Sequence, residues 1–126
     1  MRFSSRAEYG LRAIVNLARN YPRKKNIRQV SIEEQIPRKY LEHLFAFLRD
    51  KKLIESTRGK KGGYFLSCDP EEIKVGRIIE ALEGPISVRG CGLCRAEKKC
   101  SSSIVWLKLE REMKKTLNSI NLSELI

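Results

Sequence analysis

The sequence predicts a mainly α-helical chain that carries one small β-hairpin and closes on a long C-terminal helix. Three observations predict it. Apolar residues recur at spacings of three and four in successive segments, two short strand-like runs flank a glycine- and lysine-rich connection, and a serine triplet leads into a further apolar stripe near the C-terminus.

Taken in order, the segment from Ser4 to about Asn20 places Leu11, Ile14, Val15 and Ala18 on one face and Arg6, Arg12 and Arg19 elsewhere, an amphipathic helix stopped near Pro22. Tyr21 to Asn26 reads as a basic turn. Ile27 to Ile36 reads as a short second helix, although Val30, Ser31 and Ile32 are modest helix formers. Pro37 ends it and suits the first turn of a third helix reaching about Lys52. That helix has Leu41, Leu44, Phe45 and Leu48 on one face and Lys39, Glu42, His43, Ala46 and Arg49 on the other.

Residues 53–57 and 64–67 are the strand-like runs, and Arg58-Gly59-Lys60-Lys61-Gly62-Gly63 between them supplies a hairpin tip. A fourth helix, striped by Val75, Ile78, Ile79 and Leu82, runs from about Ile73 until Gly84-Pro85 breaks it. Any of Ser101, Ser102 and Ser103 suits the cap of the last helix, whose stripe is Trp106, Leu109, Met113, Leu117 and Ile120. Asn121 and Glu124 resemble a capping pair for a terminal turn. The organisation is therefore 1–83 as one helical and hairpin unit, 84–100 as a cysteine-bearing loop and 101–126 as a C-terminal helical segment.

A length of 126 residues makes one compact domain with an attached helix the natural reading. Lysine and arginine exceed acidic residues by 26 to 15, and with 41% hydrophobic residues this is a folded basic protein whose first expected partner is a polyanion. The charged N-terminus lacks the apolar core of a signal peptide, and no stretch approaches ~20 apolar residues, so the chain is expected to be cytoplasmic and to have no membrane partner. Cysteines in a reducing compartment point to metal or redox chemistry rather than to a disulfide framework.

Three helices, the third with a packed and a polar face, followed by a basic hairpin, form the layout of a winged helix-turn-helix, in which the third helix enters the major groove of double-stranded DNA. Lys39, Glu42 and His43 are placed to meet base edges, Arg58 to enter a minor groove, and Lys60 and Lys61 to contact phosphate; Tyr40 completes the candidate DNA-facing set. His43 is the sole histidine, and its place on the polar face of the reading helix favours DNA or solvent over metal.

Cys91, Cys94 and Cys100 offer three soft thiolates on one loop, the ligand type that iron-sulfur clusters and zinc both favour. Cys100 just precedes a helix N-terminus, and Arg89, Arg95, Lys98 and Lys99 flank the set, which favours the thiolate form. Cys68 lies at the end of the second strand, where a cysteine is more often an apolar filler, and a fourth ligand is unassigned.

Along essentially its whole length the chain resembles the bacterial IscR/NsrR-type (Rrf-two) regulators. The resemblance rests on Met1-Arg2-Phe3-Ser4, on Tyr40-Leu41-Glu42-His43-Leu44-Phe45 with Leu48-Arg49, on Leu53-Ile54-Glu55-Ser56, on Arg58-Gly59-Lys60-Lys61-Gly62-Gly63-Tyr64 and on the three cysteines. It implies a homodimer whose long C-terminal helix crosses its partner, base-reading positions at Lys39, Glu42 and His43, a minor-groove position at Arg58 and an iron-sulfur cluster, [2Fe-2S] or [4Fe-4S]. IscR-like members have a histidine three residues after the last cysteine, where this chain has Ser103, and a wider spacing between the first two cysteines. Another branch takes an acidic ligand from the partner's first helix, and the matching position is Glu8; Ser103, Cys68 and solvent are the alternatives. The resemblance implies a regulator whose operator binding follows redox state, nitric oxide or iron-sulfur status. The other functional readings are a zinc-stabilised DNA-binding or adaptor protein and, ranked last, an enzyme using Cys91 and Cys94 as a redox pair.

Overall fold

A computed structural model describes residues 3–88 and 101–126. Its elements run α1 (Ser5–Asn20), α2 (Ile27–Glu34), α3 (Arg38–Asp50), β1 (Ile54–Thr57), β2 (Gly63–Leu66), α4 (Val75–Glu83) and α5 (Ser103–Asn118), with 3-10 turns at Pro70–Glu72 and Leu122–Leu125. The mainly helical class with one antiparallel hairpin is the expected one.

The core gathers the apolar face of each of the first four helices. Ile14 and Leu17 of α1, Val30 of α2, Leu41, Leu44, Phe45 and Leu48 of α3, and Ile78 and Leu82 of α4 are sealed from solvent together with Leu53, Ile54 and Leu66 of the hairpin. Burying a side chain of this size stabilises the fold by about 1.5–3 kcal/mol relative to leaving it in water. Gly10 permits the close approach of α1 to α4, since a Cβ there would stand 2.5 Å from the methyl carbons of Leu82.

Local chemistry sets the boundaries. Asn26 caps α2 by accepting from the Gln29 amide at 2.8 Å. The helix stops at Glu34, short of the expected Ile36, because Gln35 turns left-handed at φ 56° and the Ser31 hydroxyl donates to the Ile36 carbonyl at 2.6 Å. Pro37 stands at the N-cap of α3 rather than inside its first turn. Ile73, expected to open α4, lies in extended backbone instead. The Leu122 amide donates to its carbonyl and the Val75 amide to the Ile120 carbonyl, both at 2.8 Å, so the C-terminus is stitched to the start of α4. Asn121 and Glu124 form the expected capping box.

β1 and β2 pair antiparallel, with Ile54 opposite Leu66 and Thr57 opposite Gly63. A third chain segment joins them. The Lys25 amide donates to the Tyr64 carbonyl at 2.9 Å and the Tyr64 amide to the Lys25 carbonyl at 2.8 Å, so the connection between α1 and α2 lies along the outer edge of β2.

Candidate nucleic-acid interface and cysteine segment

α3 is held by its buried quartet so that Lys39, Glu42, His43, Ala46 and Arg49 remain exposed on the opposite side. Arg38 and Glu42 form an ion pair one turn apart at 3.6 Å, and the Arg49 guanidinium donates to the Ser56 hydroxyl of β1 at 3.0 Å. The rings of Phe45 and Tyr64 meet at 4.6 Å, which ties the back of α3 to the hairpin. Arg58, Lys60 and Lys61 are exposed at the hairpin tip, where Gly59 adopts φ 103°, a conformation that favours glycine.

Tyr40 differs from the other candidate DNA-facing residues. It is half-buried, its hydroxyl lies 3.1 Å from that of Ser5, and its ring meets Tyr9 edge-on at 5.9 Å. The start of α1 therefore braces the start of α3. Arg6 adds to the brace by lying over the Phe47 ring at 5.6 Å.

Sequence reasoning missed the most buried cation among the described residues. Lys25, read as part of a basic turn, is buried, and its ammonium donates to Asn16 Oδ1 and Glu33 Oε1, each at 2.7 Å. Asn16 in turn donates to Glu34 Oε1 at 2.8 Å, and Arg12 pairs with Glu34 at 3.5 Å. The hydrogen bond and charge from Lys25 hold the Glu33 carboxyl below the usual carboxylate range against the opposing effect of desolvation, with Asn16 contributing less. A polar residue in Asn16's position on the buried side of the first helix is the one trace of this network in the sequence.

Cys91, Cys94 and Cys100 lie outside the described residues. Of the proposed fourth ligands, Glu8 is exposed in the first turn of α1, Ser103 is half-buried at the start of α5, and Cys68 is half-buried against the main core. Burial pushes the Cys68 thiol up; Glu72 and Asp69 push the same way and Arg77 opposes them. No three His, Cys, Asp or Glu side chains among the described residues gather into a metal-binding group. Shortly before the cysteine segment, Glu83 at the end of α4 accepts from both the amide and the hydroxyl of Ser4, the residue that precedes α1.

α5 has no buried residue. Its expected stripe divides: Met113 and Leu117, with Ile120, pack on Ala7, Val75, Ile79 and Ile86, whereas Trp106 and Leu109 stay exposed beside Ile104, Val105 and Leu107. No helix among the described residues is long and apolar enough to cross a membrane.

A family model described as "Rrf2: Iron-dependent Transcriptional regulator" matches residues 3–126. The transcriptional regulator IscR of Klebsiella pneumoniae is 33% identical, the match covering 100% of this chain and 80% of that protein. The structure of CymR, described as the global cysteine regulator of B. subtilis, superposes with a TM-score of 0.85 at 30% identity, over 99% of this chain and 95% of that one. The IscR structure from T. potens gives 0.82 at 30% identity, over 99% and 85%.

Proposed function

From the premise that this chain belongs to the Rrf2 family of transcriptional regulators, and not to a family of enzymes, we propose that it is a dimeric operator-binding protein whose affinity for DNA is set by an iron-sulfur cluster on Cys91, Cys94 and Cys100. The observation that carries the DNA-reading part is the division of α3: Leu41, Leu44, Phe45 and Leu48 are fully buried, which leaves Lys39, Glu42 and His43 presented to solvent beside a cationic hairpin tip. Major-groove readers need a helix anchored on one face and free on the other, and phosphate and minor-groove contacts need cations on a slender projection. Tyr40, with its hydroxyl engaged by Ser5, acts in this reading by setting the angle of α3.

The uncovered apolar residues of α5 support the dimer. Ile104 is 72% exposed, Val105 58% and Trp106 44%, large apolar side chains left in water along one helix. A second copy of α5 covers it, and two-fold pairing spaces the two α3 helices for half-sites about 34–36 Å apart.

The donor set fits a cluster. Three thiolates are the soft ligands it needs, and Glu8 of the partner subunit is the leading fourth ligand by its position in the family resemblance, with its carboxylate exposed on the first turn of α1. Cys68 suits the role less, since its raised pKa disfavours the ligating thiolate. When bound, the cluster supplies a centre that reacts with oxidants and nitric oxide. The chain's own residues supply the route to the DNA face. The cysteine segment joins α4 to α5, Glu83 at the end of α4 holds Ser4, and the adjacent Ser5 and Tyr9 meet Tyr40 on α3. Constraint or release of residues 84–100 is thereby felt where α3 is braced.

Anaerobic purification followed by visible absorbance and iron and sulfide analysis tests the cofactor. A coloured protein with iron and sulfide in equal amounts is expected, and Glu8→Ala shortens cluster lifetime in air. A colourless protein with stoichiometric zinc overturns the cluster; an unchanged lifetime in Glu8→Ala overturns the cross-subunit ligand.

A further inference from the structure

We propose that the connection between α1 and α2, at Arg23 and Lys24, is a second phosphate-binding element, locked to the outer edge of β2 by the β-bridge at Lys25 and gripping operator DNA that flanks the hairpin tip's own contact. The inference rests on the DNA-reading function above and extends it to a surface outside α3 and the tip.

The first ground is register. Lys25 pairs antiparallel with Tyr64, which puts Lys24 opposite Phe65 and Asn26 opposite Gly63. Side chains alternate along a strand, so Lys25 and Tyr64 share the inner face and Lys24 and Phe65 the outer one. The contacts agree: Tyr64 packs on Phe45, Lys25 reaches Asn16 and Glu33, and the Lys24 ammonium lies 5.9 Å from the Phe65 ring.

The second ground is rigidity. Two backbone hydrogen bonds, the buried Lys25 ammonium and the close seat of Gly63 hold the loop to the hairpin; a Cβ on Gly63 would stand 2.8 Å from the Lys25 carbonyl oxygen. A hairpin that docks on DNA therefore carries Arg23 and Lys24 with it in fixed geometry.

The third ground is charge. Arg19, Arg23, Lys24 and Arg28 supply positive charge around this connection, and none forms an ion pair among the described residues. The carboxylate nearest in register, Glu55, lies beyond Phe65, two strand spacings or about 10 Å from Lys24. Phe65 lies four residue steps beyond Lys61 at the tip, at most roughly 13 Å of strand, and phosphates on one DNA strand advance ~3.4 Å each along the axis, so the loop's reach corresponds to about four phosphates beyond the tip. Cations carried on backbone and side-chain stems of this kind read charge and spacing, not base identity.

The test compares the Arg23→Ala/Lys24→Ala variant with wild type on two operator duplexes, one ending at the base pairs the hairpin contacts and one extended by about six base pairs on each side, across a range of salt concentrations. Both residues are exposed, so the thermal midpoint stays that of wild type. On the long duplex the variant binds about tenfold more weakly, and its salt slope falls by about 1.8 for each protomer, at ~0.9 for each phosphate no longer neutralised. On the short duplex the two proteins bind alike.

Equal binding on the long duplex, or the same loss on both duplexes, overturns the proposal. So does unchanged DNA binding with altered output in a purified transcription assay, which would assign the loop to an acidic protein surface. Lys39→Ala and Arg58→Ala, run in parallel, weaken binding on both duplexes. If neither does while the loop variant fails on the long duplex alone, the reading of α3 is wrong and the loop proposal stands.

Discussion

Replacing Lys25 with methionine keeps most of the side chain's volume and removes its charge and its two hydrogen bonds. The cost is worked from the partners left behind. Asn16 is buried, so losing the donor to its Oδ1 leaves an unsatisfied acceptor, at about 1–3 kcal/mol. The Glu33 side chain is 45% exposed and rehydrates, so loss of that ion pair contributes less than ~1 kcal/mol. The sum, about 1–4 kcal/mol, is read at pH 7 as a lower urea midpoint with an unchanged slope, and as a thermal midpoint lower by roughly 5–15 °C. The pair also has a pH signature. Because the Glu33 pKa is lowered on folding, its contribution is present above the ordinary carboxylate pKa and is lost as pH falls through the folded value. The stability difference between wild type and Glu33→Gln should therefore be largest near neutrality and close in acid. A Lys25→Met variant as stable as wild type would refute the argument that this ammonium anchors the loop to the hairpin.

Two further outcomes follow from burial and exposure. Trp106→Glu places a charge on the uncovered part of α5 without touching the core, so each protomer keeps its fold while the sedimentation coefficient shifts from dimer to monomer; a wild type already monomeric at micromolar concentration would contradict the pairing of α5. Cys68 should react with iodoacetamide more slowly at neutral pH than an unperturbed thiol, because burial pushes its thiol up, and Cys68→Ser should load iron like wild type; loss of iron in that variant would make Cys68 a ligand.

The helices were legible where a buried stripe had helical period. The quartet read for α3 is the quartet the fold buries, and the exposed set follows from it. Boundaries were lost where the deciding residue carried no special composition: Gln35 ends α2 in the left-handed region that glycine or asparagine usually marks. Ile73 stands at the expected start of α4, yet a backbone pairing with the far C-terminus claims it, and no local pattern announces a contact between residues 73 and 122. Lys25 was hidden for the same reason. Its burial depends on Asn16 and Glu33, which meet it only when α1 and α2 fold together, and a lysine beside Lys24 and Asn26 otherwise reads as solvated. In α5 the spacing described one stripe, but folding assigns Met113 and Leu117 to the protomer's own core and leaves Trp106 and Leu109 uncovered. The candidate ligands Cys91, Cys94 and Cys100 rest on residue type and crowding in the sequence alone and lie outside the described residues.

The central claim, that the cysteine-held cluster governs DNA binding, is tested most directly by titrating one anaerobic preparation, before and after removal of its iron, against the same operator duplex at fixed salt. The account predicts a change in operator affinity of at least tenfold, or ~1.4 kcal/mol, with little change on an unrelated duplex. Identical operator curves for the loaded and stripped protein would contradict it.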